Sequence, residues 1–346
     1  MPIKRVLTEL GFENLNVVKE QEKPDGNFPT ASYPNPEDKS VFNIALEMAK
    51  ESNPDIIFGT DPDCDRIGVV VKDNTGDYKV LTGNQTGMLL AYYMLKSLRD
   101  MNELPGNAAV IKTIVTTEGV RRIVESFETE LIDTLTGFKY IGEKIKEFEE
   151  TNSNSFIFGL EESYGYLAGT FVRDKDAVIA ATLITEMALY YKEEGLNLYE
   201  ALIKLYEDYG FTKEELISIE LQGKEGQEKI ANCLDTLRKD KLAEVNGVKV
   251  IKAFDYKLSE ETTYGSDTVV SEIKLPKSNV LKYILEDDSW FVVRPSGTEP
   301  KMKIYLSVVG ESLKDSEEKL SNLIGYIISY SLIILYSLFK TTLIIM

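Results

Sequence analysis

The sequence predicts two doubly wound α/β domains followed by an α+β domain with an antiparallel sheet. From about residue 79 to about residue 208, short apolar runs alternate with amphipathic helical patterns, which is typical of a mostly parallel sheet covered by helices. After about residue 211, strand patterns follow one another with little helix between them, which favours an antiparallel sheet. We therefore expect domains at residues 1–78, 79–210 and 211–320, and an apolar tail at 321–346 that is uncharged up to Phe339.

The first domain opens on a helix rather than on a strand. Apolar residues recur at helical spacing from Ile3 to Leu10, and Gly11 is placed to end that helix. The pattern then predicts, in order, a strand at 15–18, a Pro-rich loop at 28–37, a helix at 41–48 and buried strands at 56–58 and 67–71. These elements form an α/β unit with no strand before its first helix.

The second and third domains differ in the order of their elements. In the second, the predicted order is helix 85–98, strand 109–115, helix 118–126, strand 131–134, helix 139–149, strand 155–159 and helix 176–191. In the third, it is helix 226–239, strands 249–254, 268–275, 290–294 and 303–309, and a final helix from Ser312. The first order is that of a parallel sheet, and the second is that of an antiparallel one.

The end of the chain carries no charge from Leu320 to Phe339, and residues 343–346 are apolar. A run of this length could span a bilayer. However, Ser and Tyr interrupt it, and its first turns continue the amphipathic pattern of Leu320, Leu323 and Ile324. A membrane anchor is therefore disfavoured, and a buried final helix and a terminus of altered sequence stay open as alternatives.

Composition excludes several classes of protein. No histidine occurs, so that Ser-His-Asp triads, Cys-His dyads and histidine metal sites are excluded. The formal net charge of -18 argues against nucleic acid as a partner, since its binding requires a basic face. Cys64 and Cys233 form no CxxC pair, and the first residues lack the long apolar core of a signal peptide. We therefore expect a reducing, cytoplasmic location.

The segment Gly-Thr-Asp-Pro-Asp-Cys-Asp-Arg, residues 59–66, connects two predicted buried strands. Asp61, Asp63 and Asp65 alternate along it and can converge on one point, where three like charges repel unless a cation lies between them. Oxygen ligands without His or Cys favour Mg²⁺ or Ca²⁺ over zinc. A solvated acidic turn stays open as an alternative. An EF-hand-like calcium loop is disfavoured, because strands flank the segment and no glycine stands at its sixth position.

A second loop directly follows the last predicted strand of the second domain, and ligands of α/β sheets bind at the carboxyl ends of strands. Glu161 and Ser163 lie two residues apart, so that a carboxylate and a hydroxyl can bind a vicinal diol of a sugar. Downstream, Arg173 and Lys175 place cations near the N-terminus of a predicted helix, where an anion is favoured. The alternative is a helix-capping cluster, in which Asp176 is the N-cap.

A third loop lies in the α+β domain and reads Arg-Pro-Ser-Gly-Thr-Glu-Pro-Lys. Arg294 offers a bidentate fork for phosphate, and Ser296 and Thr298 offer hydroxyls. Gly297 lets backbone N–H groups approach an anion closely, and Lys301 closes the loop. The alternative is a β-turn built from common turn residues.

Taken in this order, the three loops resemble those of the α-D-phosphohexomutase family, which includes phosphoglucomutases and phosphomannomutases. The resemblance extends from about residue 2 to residue 320. The matching segments are Asp61 to Arg66 for the magnesium loop, Glu161 to Ser163 for the sugar-recognition loop, Arg294 to Thr298 for the phosphate-binding loop and Thr136 to Lys139 for a further loop near the sugar. The segment 161–166 is similar to the larger phosphoglucomutase branch, whereas Tyr166 stands where some family members carry a histidine.

The resemblance implies four domains around one cleft, the first of which carries a phosphorylated serine in a Thr-Ala-Ser-His-Asn-Pro-like loop. Thr30-Ala31-Ser32 lacks the His-Asn-Pro part, and only sixty residues precede Asp61, so we do not identify Ser32 with that serine. The resemblance therefore implies an N-terminally truncated chain with an incomplete first α/β domain. Such a chain is expected to be inactive alone, and a separate chain could supply the serine domain.

The reaction implied by the resemblance is the interconversion of glucose 1-phosphate and glucose 6-phosphate through glucose 1,6-bisphosphate, with Mg²⁺ as cofactor and a hexose phosphate as partner. The implied roles are catalytic for Arg66 and Lys175; metal-binding for Asp61, Asp63 and Asp65; and substrate-binding for Lys139, Glu161, Ser163, Arg173, Lys175, Arg294, Ser296, Gly297, Thr298 and Lys301. The alternatives are a phosphomannomutase of the same family and a non-catalytic sugar-phosphate-binding protein.

Overall fold

The computed structural model describes residues 2–240, 242–296 and 300–337, with side chains up to residue 329. The chain divides between Tyr209 and Gly210 into two compact units.

The N-terminal part of the first unit is a small antiparallel sheet with helices before it. Its elements are helix α1 (Pro2–Glu9), helix α2 (Lys19–Glu22), a 3-10 helix (Lys39–Phe42), helix α3 (Asn43–Ser52) and strands β1 (Ile56–Thr60), β2 (Ile67–Lys72) and β3 (Tyr78–Leu81). The strands pair antiparallel in the order β1-β2-β3. Phe42 is the buried centre of this layer, because Gly59 and Gly68 leave room for its ring: a Cβ there would lie 2.7 and 2.8 Å from ring carbons.

The prediction of a strand at residues 15–18 is wrong. These residues are half-buried or exposed and form no strand, and β1, β2 and β3 pair with one another and not with this segment. The apolar pattern there lacks a partner strand within the described residues. The α1 prediction is confirmed, and Gly11 follows the helix with a φ of +92°, a conformation that favours glycine.

The larger part of the first unit is a four-stranded sheet in the order β5-β4-β6-β7. Its elements are α4 (Gly83–Asp100), β4 (Ala108–Thr113), α5 (Gly119–Ser126), β5 (Glu130–Thr134), α6 (Phe138–Thr151), β6 (Ser155–Glu161), β7 (Gly165–Ala168), α7 (Ala177–Glu193) and α8 (Leu198–Tyr209). Strand β4 is buried along its whole length and pairs parallel with β5 and β6, which confirms the predicted alternation. Strand β7, which turns back antiparallel on β6, and helix α8 were not predicted.

The second unit is built on an antiparallel sheet in the order β12-β11-β10-β13-β14-β15-β8, with β9 paired to β10. Its elements are β8 (Phe211–Glu220), α9 (Gly223–Asp240), β9 (Glu244–Val245), β10 (Val248–Asp255), β11 (Glu260–Thr263), β12 (Val269–Glu272), β13 (Leu281–Leu285), β14 (Trp290–Pro295), β15 (Lys301–Gly310) and α10 (Leu313–Ser337). The predicted antiparallel α+β character is confirmed. Strands β8, β9, β11 and β13 were not predicted.

The beginning of the uncharged tail forms part of helix α10. Leu320, Leu323 and Ile327 are buried in the core of the second unit together with residues of α9 and the sheet. This packing agrees with the buried-helix alternative for the described part of the tail. No helix among the described residues combines the length and the apolar character needed to cross a membrane. Phe339 and residues 343–346 lie outside the described residues.

Candidate functional site

The acidic loop between β1 and β2 has a backbone conformation that turns its carboxylates together. The Asp61 carbonyl accepts a hydrogen bond from the Cys64 N–H (3.1 Å), and Cys64 has a φ of +60°. The Asp61 side chain stabilises the turn, because its Oδ1 accepts the backbone N–H groups of Asp65 and Arg66, each at 3.0 Å. Strands flank the loop on both sides, as predicted, which excludes the helix-flanked geometry of an EF-hand.

The three carboxylates fit a hard divalent cation. One oxygen each from Asp61, Asp63 and Asp65 lies within 4.8 Å of the others. Asp65 Oδ1 is buried without a hydrogen-bond partner in the described residues, so it has an unfilled acceptor position. Burial raises the pKa of Asp61 to about 6. The neighbouring charges of Asp65 and Asp63 act in the same direction, whereas the hydrogen bond from the Arg66 backbone N–H lowers this pKa. A cation would relieve this repulsion, and the all-oxygen donor set suits Mg²⁺.

Arg66 lies at the edge of this carboxylate cluster. Its Nη1 donates to Oε1 of Glu37, whereas its Nε is 3.8 Å from Asp61 Oδ2 and 3.7 Å from Asp65 Oδ1. The last two distances are longer than hydrogen bonds. The carboxylate oxygens of this acidic loop (residues 59–66, from here on the metal loop) therefore face the positive charge of Arg66. They do not accept a hydrogen bond from the Arg66 Nε.

The predicted sugar-recognition loop is the turn between β6 and β7. Glu161 ends β6, is only 7% exposed, and its Oε1 accepts the Gly137 N–H at 2.9 Å. Burial raises the pKa of Glu161, and the Gly137 N–H and the positive charge of Lys175 oppose that rise. Ser163 follows in the turn, where it is half-buried, and Tyr164 has a φ of +67°. The strand pairing thus places Glu161 and Ser163 in one tight turn.

Glu162, which lies between Glu161 and Ser163, attaches the turn to the end of strand β4. Its Oε2 accepts hydrogen bonds from the hydroxyls of Thr113 (3.3 Å) and Thr116 (3.4 Å), which are 2.8 Å from each other. On its other side the turn touches the start of helix α4, where a Cβ on Gly83 would lie 2.0 Å from the Glu162 carbonyl oxygen. The sequence pattern did not predict this role of Glu162. The pair of threonines at the end of a buried strand was the available signal.

Lys175 joins the metal loop to the sugar-recognition loop. Its Nζ is 2.7 Å from Asp65 Oδ2, and its side chain packs on Gly165, where a Cβ would lie 2.3 Å from its Cδ and 3.6 Å from Glu161 Oε2. Burial lowers the pKa of Lys175, but the hydrogen bond and charge of Asp65 outweigh it and the net shift is upward. The Lys175 side chain therefore stays positively charged between the two candidate sites.

Backbone hydrogen bonds join the same two loops. The Ile67 N–H donates to the Tyr164 carbonyl, the Ala177 N–H donates to the Cys64 carbonyl, both at 3.1 Å, and Arg66 forms an antiparallel bridge with Gly165. Because Ala177 begins α7, the metal loop is attached both to the turn and to this helix. The predicted metal and sugar sites are thus parts of one connected structure in the first unit.

Two predicted substrate-binding residues lie away from these contacts. Arg173 pairs with the carboxylate of Glu149 on α6 at 2.6 Å, and it also donates to the carbonyl of Thr170. Lys139 is exposed in the first turn of α6, and its ammonium is 4.8 Å from the centre of the Tyr140 ring. A substrate contact by Arg173 would therefore have to compete with Glu149.

The predicted phosphate-binding loop belongs to the second unit, between β14 and β15. Arg294 lies near the end of β14, and the Ser296 N–H donates to the Lys301 carbonyl at 2.7 Å, which closes the base of the loop. The Lys301 ammonium is 2.6 Å from Glu220 Oε1 on the neighbouring strand β8. Gly297 and Thr298 lie outside the described residues.

An open cleft of about 260 Å³ lies beside the metal loop. Its lining consists of Tyr33, Pro34, Asn35, Asp61, Pro62, Asp63, Asp65 and Arg66. The sequence of the Pro-rich segment predicts only a loop and does not indicate that Tyr33 and Asn35 are neighbours of the acidic loop. Asn35 between two prolines was a signal of a rigid turn, although not of its location.

Three family models match successive parts of the chain. They are described as phosphoglucomutase/phosphomannomutase alpha/beta/alpha domain II (residues 1–76), alpha/beta/alpha domain III (residues 82–209) and C-terminal domain (residues 235–317). The three domains occur in the order that the resemblance of the loops implies.

Curated relatives cover nearly the whole chain. A phosphoglucomutase of Staphylococcus haemolyticus is 36% identical over 322 residues, which are 93% of this chain and 57% of the relative. A phosphoglucomutase of Staphylococcus aureus gives the same identity and coverage, and one of Staphylococcus saprophyticus is 33% identical over 313 residues, 90% of this chain and 56% of the relative. The chain therefore spans a little over half the length of these relatives.

Solved structures share the fold of this chain. A phosphoglucomutase/phosphomannomutase family protein from Burkholderia thailandensis has a TM-score of 0.58 at 18% identity, covering 90% of this chain and 53% of that one. Parafusin, a phosphoglucomutase from Paramecium, has a TM-score of 0.57 at 19% identity, covering 82% of this chain and 45% of that one. The consecutive domain matches and the curated relatives agree, and the chain belongs to the phosphoglucomutase/phosphomannomutase family of α-D-phosphohexomutases.

Proposed function

We propose that the chain is the sugar- and metal-binding part of a phosphoglucomutase. The proposed reaction interconverts glucose 1-phosphate and glucose 6-phosphate through glucose 1,6-bisphosphate. The observation that carries the proposal is the position of Lys175, whose ammonium bonds Asp65 of the metal loop while its stem packs on Gly165 beside Glu161. The names of the curated relatives support glucose phosphates over mannose phosphates as substrates.

In this proposal Asp61, Asp63 and Asp65 hold Mg²⁺. Asp61 would use Oδ2, because its Oδ1 already accepts two backbone N–H groups, and Asp65 would use its unpartnered Oδ1. When bound, the cation supplies charge neutralisation to a phosphoryl group. Arg66 adds positive charge beside Asp61 and Asp65, and Lys175 adds it beside Asp65.

The sugar is held by the turn between β6 and β7. The Glu161 carboxylate keeps Oε2 for a sugar hydroxyl, since Oε1 is occupied by the Gly137 N–H, and the Ser163 hydroxyl can donate and accept. Contacts to ring hydroxyls rather than to a phosphate allow the sugar to bind in two orientations. This property is required if O1 and O6 are each to reach the phosphoryl group.

The phosphate that does not react is assigned to the second unit. Arg294, Ser296 and Lys301 supply a fork, a hydroxyl and an ammonium, and Gly297 and Thr298 join them on the basis of the sequence. Lys139 and Arg173 remain candidate contacts to the substrate; binding by Arg173 would require release from Glu149.

The test is a coupled assay of glucose 1-phosphate conversion with Mg²⁺ and glucose 1,6-bisphosphate. It uses the 346-residue chain, with and without a separately produced serine-bearing N-terminal segment of the kind that the family resemblance implies. We expect turnover only when that segment is added, and turnover by the chain alone would refute the proposed dependence on a separate serine.

Calorimetry with glucose 1-phosphate and mannose 1-phosphate separates the remaining alternatives. Binding without turnover in either mixture would favour a non-catalytic sugar-phosphate-binding protein. A preference for the mannose compound would favour a phosphomannomutase. Glu161→Gln should weaken binding, whereas Glu130→Gln, at the exposed start of β5, is a control with the same loss of charge.

A further inference from the structure

Glu37 makes the closest polar contact of the Arg66 guanidinium. The two residues form a charge-assisted hydrogen bond between Arg66 Nη1 and Glu37 Oε1, and their side chains are 28% and 34% exposed. By contrast, Arg66 Nε is 3.7 Å or more from the nearest oxygens of Asp61 and Asp65. The strongest hydrogen bond of the guanidinium therefore goes to Glu37 and not to the metal loop.

The segment that carries Glu37 is fixed by its own sequence. The Glu37 N–H donates to the side-chain oxygen of Asn35 at 2.9 Å, and the Asp38 N–H donates to the Asn35 carbonyl at 3.0 Å. Pro36 is buried against β2, where a Cβ on Gly68 would lie 2.9 Å from its Cβ. The Glu37 carboxylate is thus presented from a rigid turn seated on the sheet of the metal loop.

We propose that Glu37 is a positioning residue that holds Arg66 beside the metal carboxylates instead of on them. Without Glu37, the guanidinium would be drawn to Asp61 Oδ2 and Asp65 Oδ1, which lie less than 1 Å beyond hydrogen-bond reach. These are the oxygens that the cation needs. Glu37 thereby keeps two positive charges, Arg66 and Mg²⁺, in separate places around one acidic loop.

The inference rests on the proposed function, in which the acidic loop binds Mg²⁺. Its test is the affinity of the full chain for Mg²⁺ alone, measured by calorimetry without substrate. Glu37→Gln should weaken Mg²⁺ binding about two- to fivefold, the range that a partly exposed ion pair is worth. Glu47→Gln on helix α3, where Glu47 pairs with Lys50, is the matched control and should leave the affinity unchanged.

A double-mutant cycle separates positioning from the mere loss of a negative charge. If Glu37 acts through Arg66, then Glu37→Gln will have little effect in an Arg66→Gln background. An equal loss of affinity in both backgrounds would overturn the proposal, as would an unchanged affinity in Glu37→Gln itself. Failure of the wild-type chain to bind Mg²⁺ would refute the proposed metal site, and the role of Glu37 with it.

Discussion

The closest approach in the candidate site predicts a severe effect for one added methyl group. Gly83 is the first residue of α4, and its Cα faces the backbone of the sugar-recognition turn. In Gly83→Ala, the new Cβ would lie 2.0 Å from the Glu162 carbonyl oxygen and 2.8 Å from the Tyr164 nitrogen. Both neighbours are backbone atoms, so no side-chain rotation can relieve the overlap.

The magnitude follows from this geometry. Cβ contacts closer than 3.0 Å are essentially never seen, so helix and turn must separate by about 1 Å. Forced shifts of this kind in packed interiors cost about 1–3 kcal/mol. For a unit of about 200 residues, that lowers the melting temperature by about 3–10 °C. The displaced turn should also weaken binding of glucose 1-phosphate, because Glu161 and Ser163 lie in or beside it.

The assay is thermal unfolding followed by circular dichroism, together with calorimetry of sugar-phosphate binding. Gly106→Ala is the matched control, because a Cβ at Gly106 meets nothing within 4 Å and its φ lies outside the left-handed region. That variant should keep the wild-type melting temperature or raise it slightly. The reasoning would be refuted by a Gly83→Ala protein that has the same melting temperature as the control and the wild-type affinity for glucose 1-phosphate.

Three further predictions concern charged groups of the first unit. Asp63→Asn should abolish the rise in melting temperature that Mg²⁺ induces in the wild type. When the Mg²⁺ concentration is a hundred times Kd, that rise corresponds to about 2.7 kcal/mol of stabilisation. An undiminished rise in the variant would contradict the assignment of the metal ligands. Lys112 is fully buried, and its Nζ is 2.8 Å from Asp133 and 3.0 Å from Glu118. Lys112→Met should therefore lower the free energy of unfolding, measured in urea, by about 3 kcal/mol. An unchanged free energy would show that Arg121 alone satisfies both carboxylates. Burial raises the pKa of Glu162 from 4.5 to about 7, so the folded state binds the extra proton and stability should fall as pH rises from 4.5 to 7. Glu162→Gln should flatten the dependence of stability on pH in this range. An unchanged slope would count against the raised pKa of Glu162.

Features that depend on residues close in the chain could be predicted from the sequence. The acidic loop is one example, because alternating carboxylates between two apolar runs dictate both the strands and the convergence of the side chains. Helices α4, α6 and α7 are others, since their apolar periodicity is sustained over several turns. Local pattern failed at residues 15–18, where an apolar run without a partner strand forms no strand.

Only the tertiary structure decided which charges meet. Lys175 pairs with Asp65 across 110 positions of sequence, and Arg66 pairs with Glu37 across 29. Arg173, which the sequence offered equally for phosphate, is instead held by Glu149. Spacing along the chain says which side chains point the same way within one element, whereas the packing of glycines and prolines between elements sets which of them come within hydrogen-bond distance. For this protein the sequence determined the chemistry of each loop. The close contacts at three glycines determined how the parts of the first unit are arranged, because a Cβ would overlap side chains at Gly68 and Gly165 and backbone at Gly83.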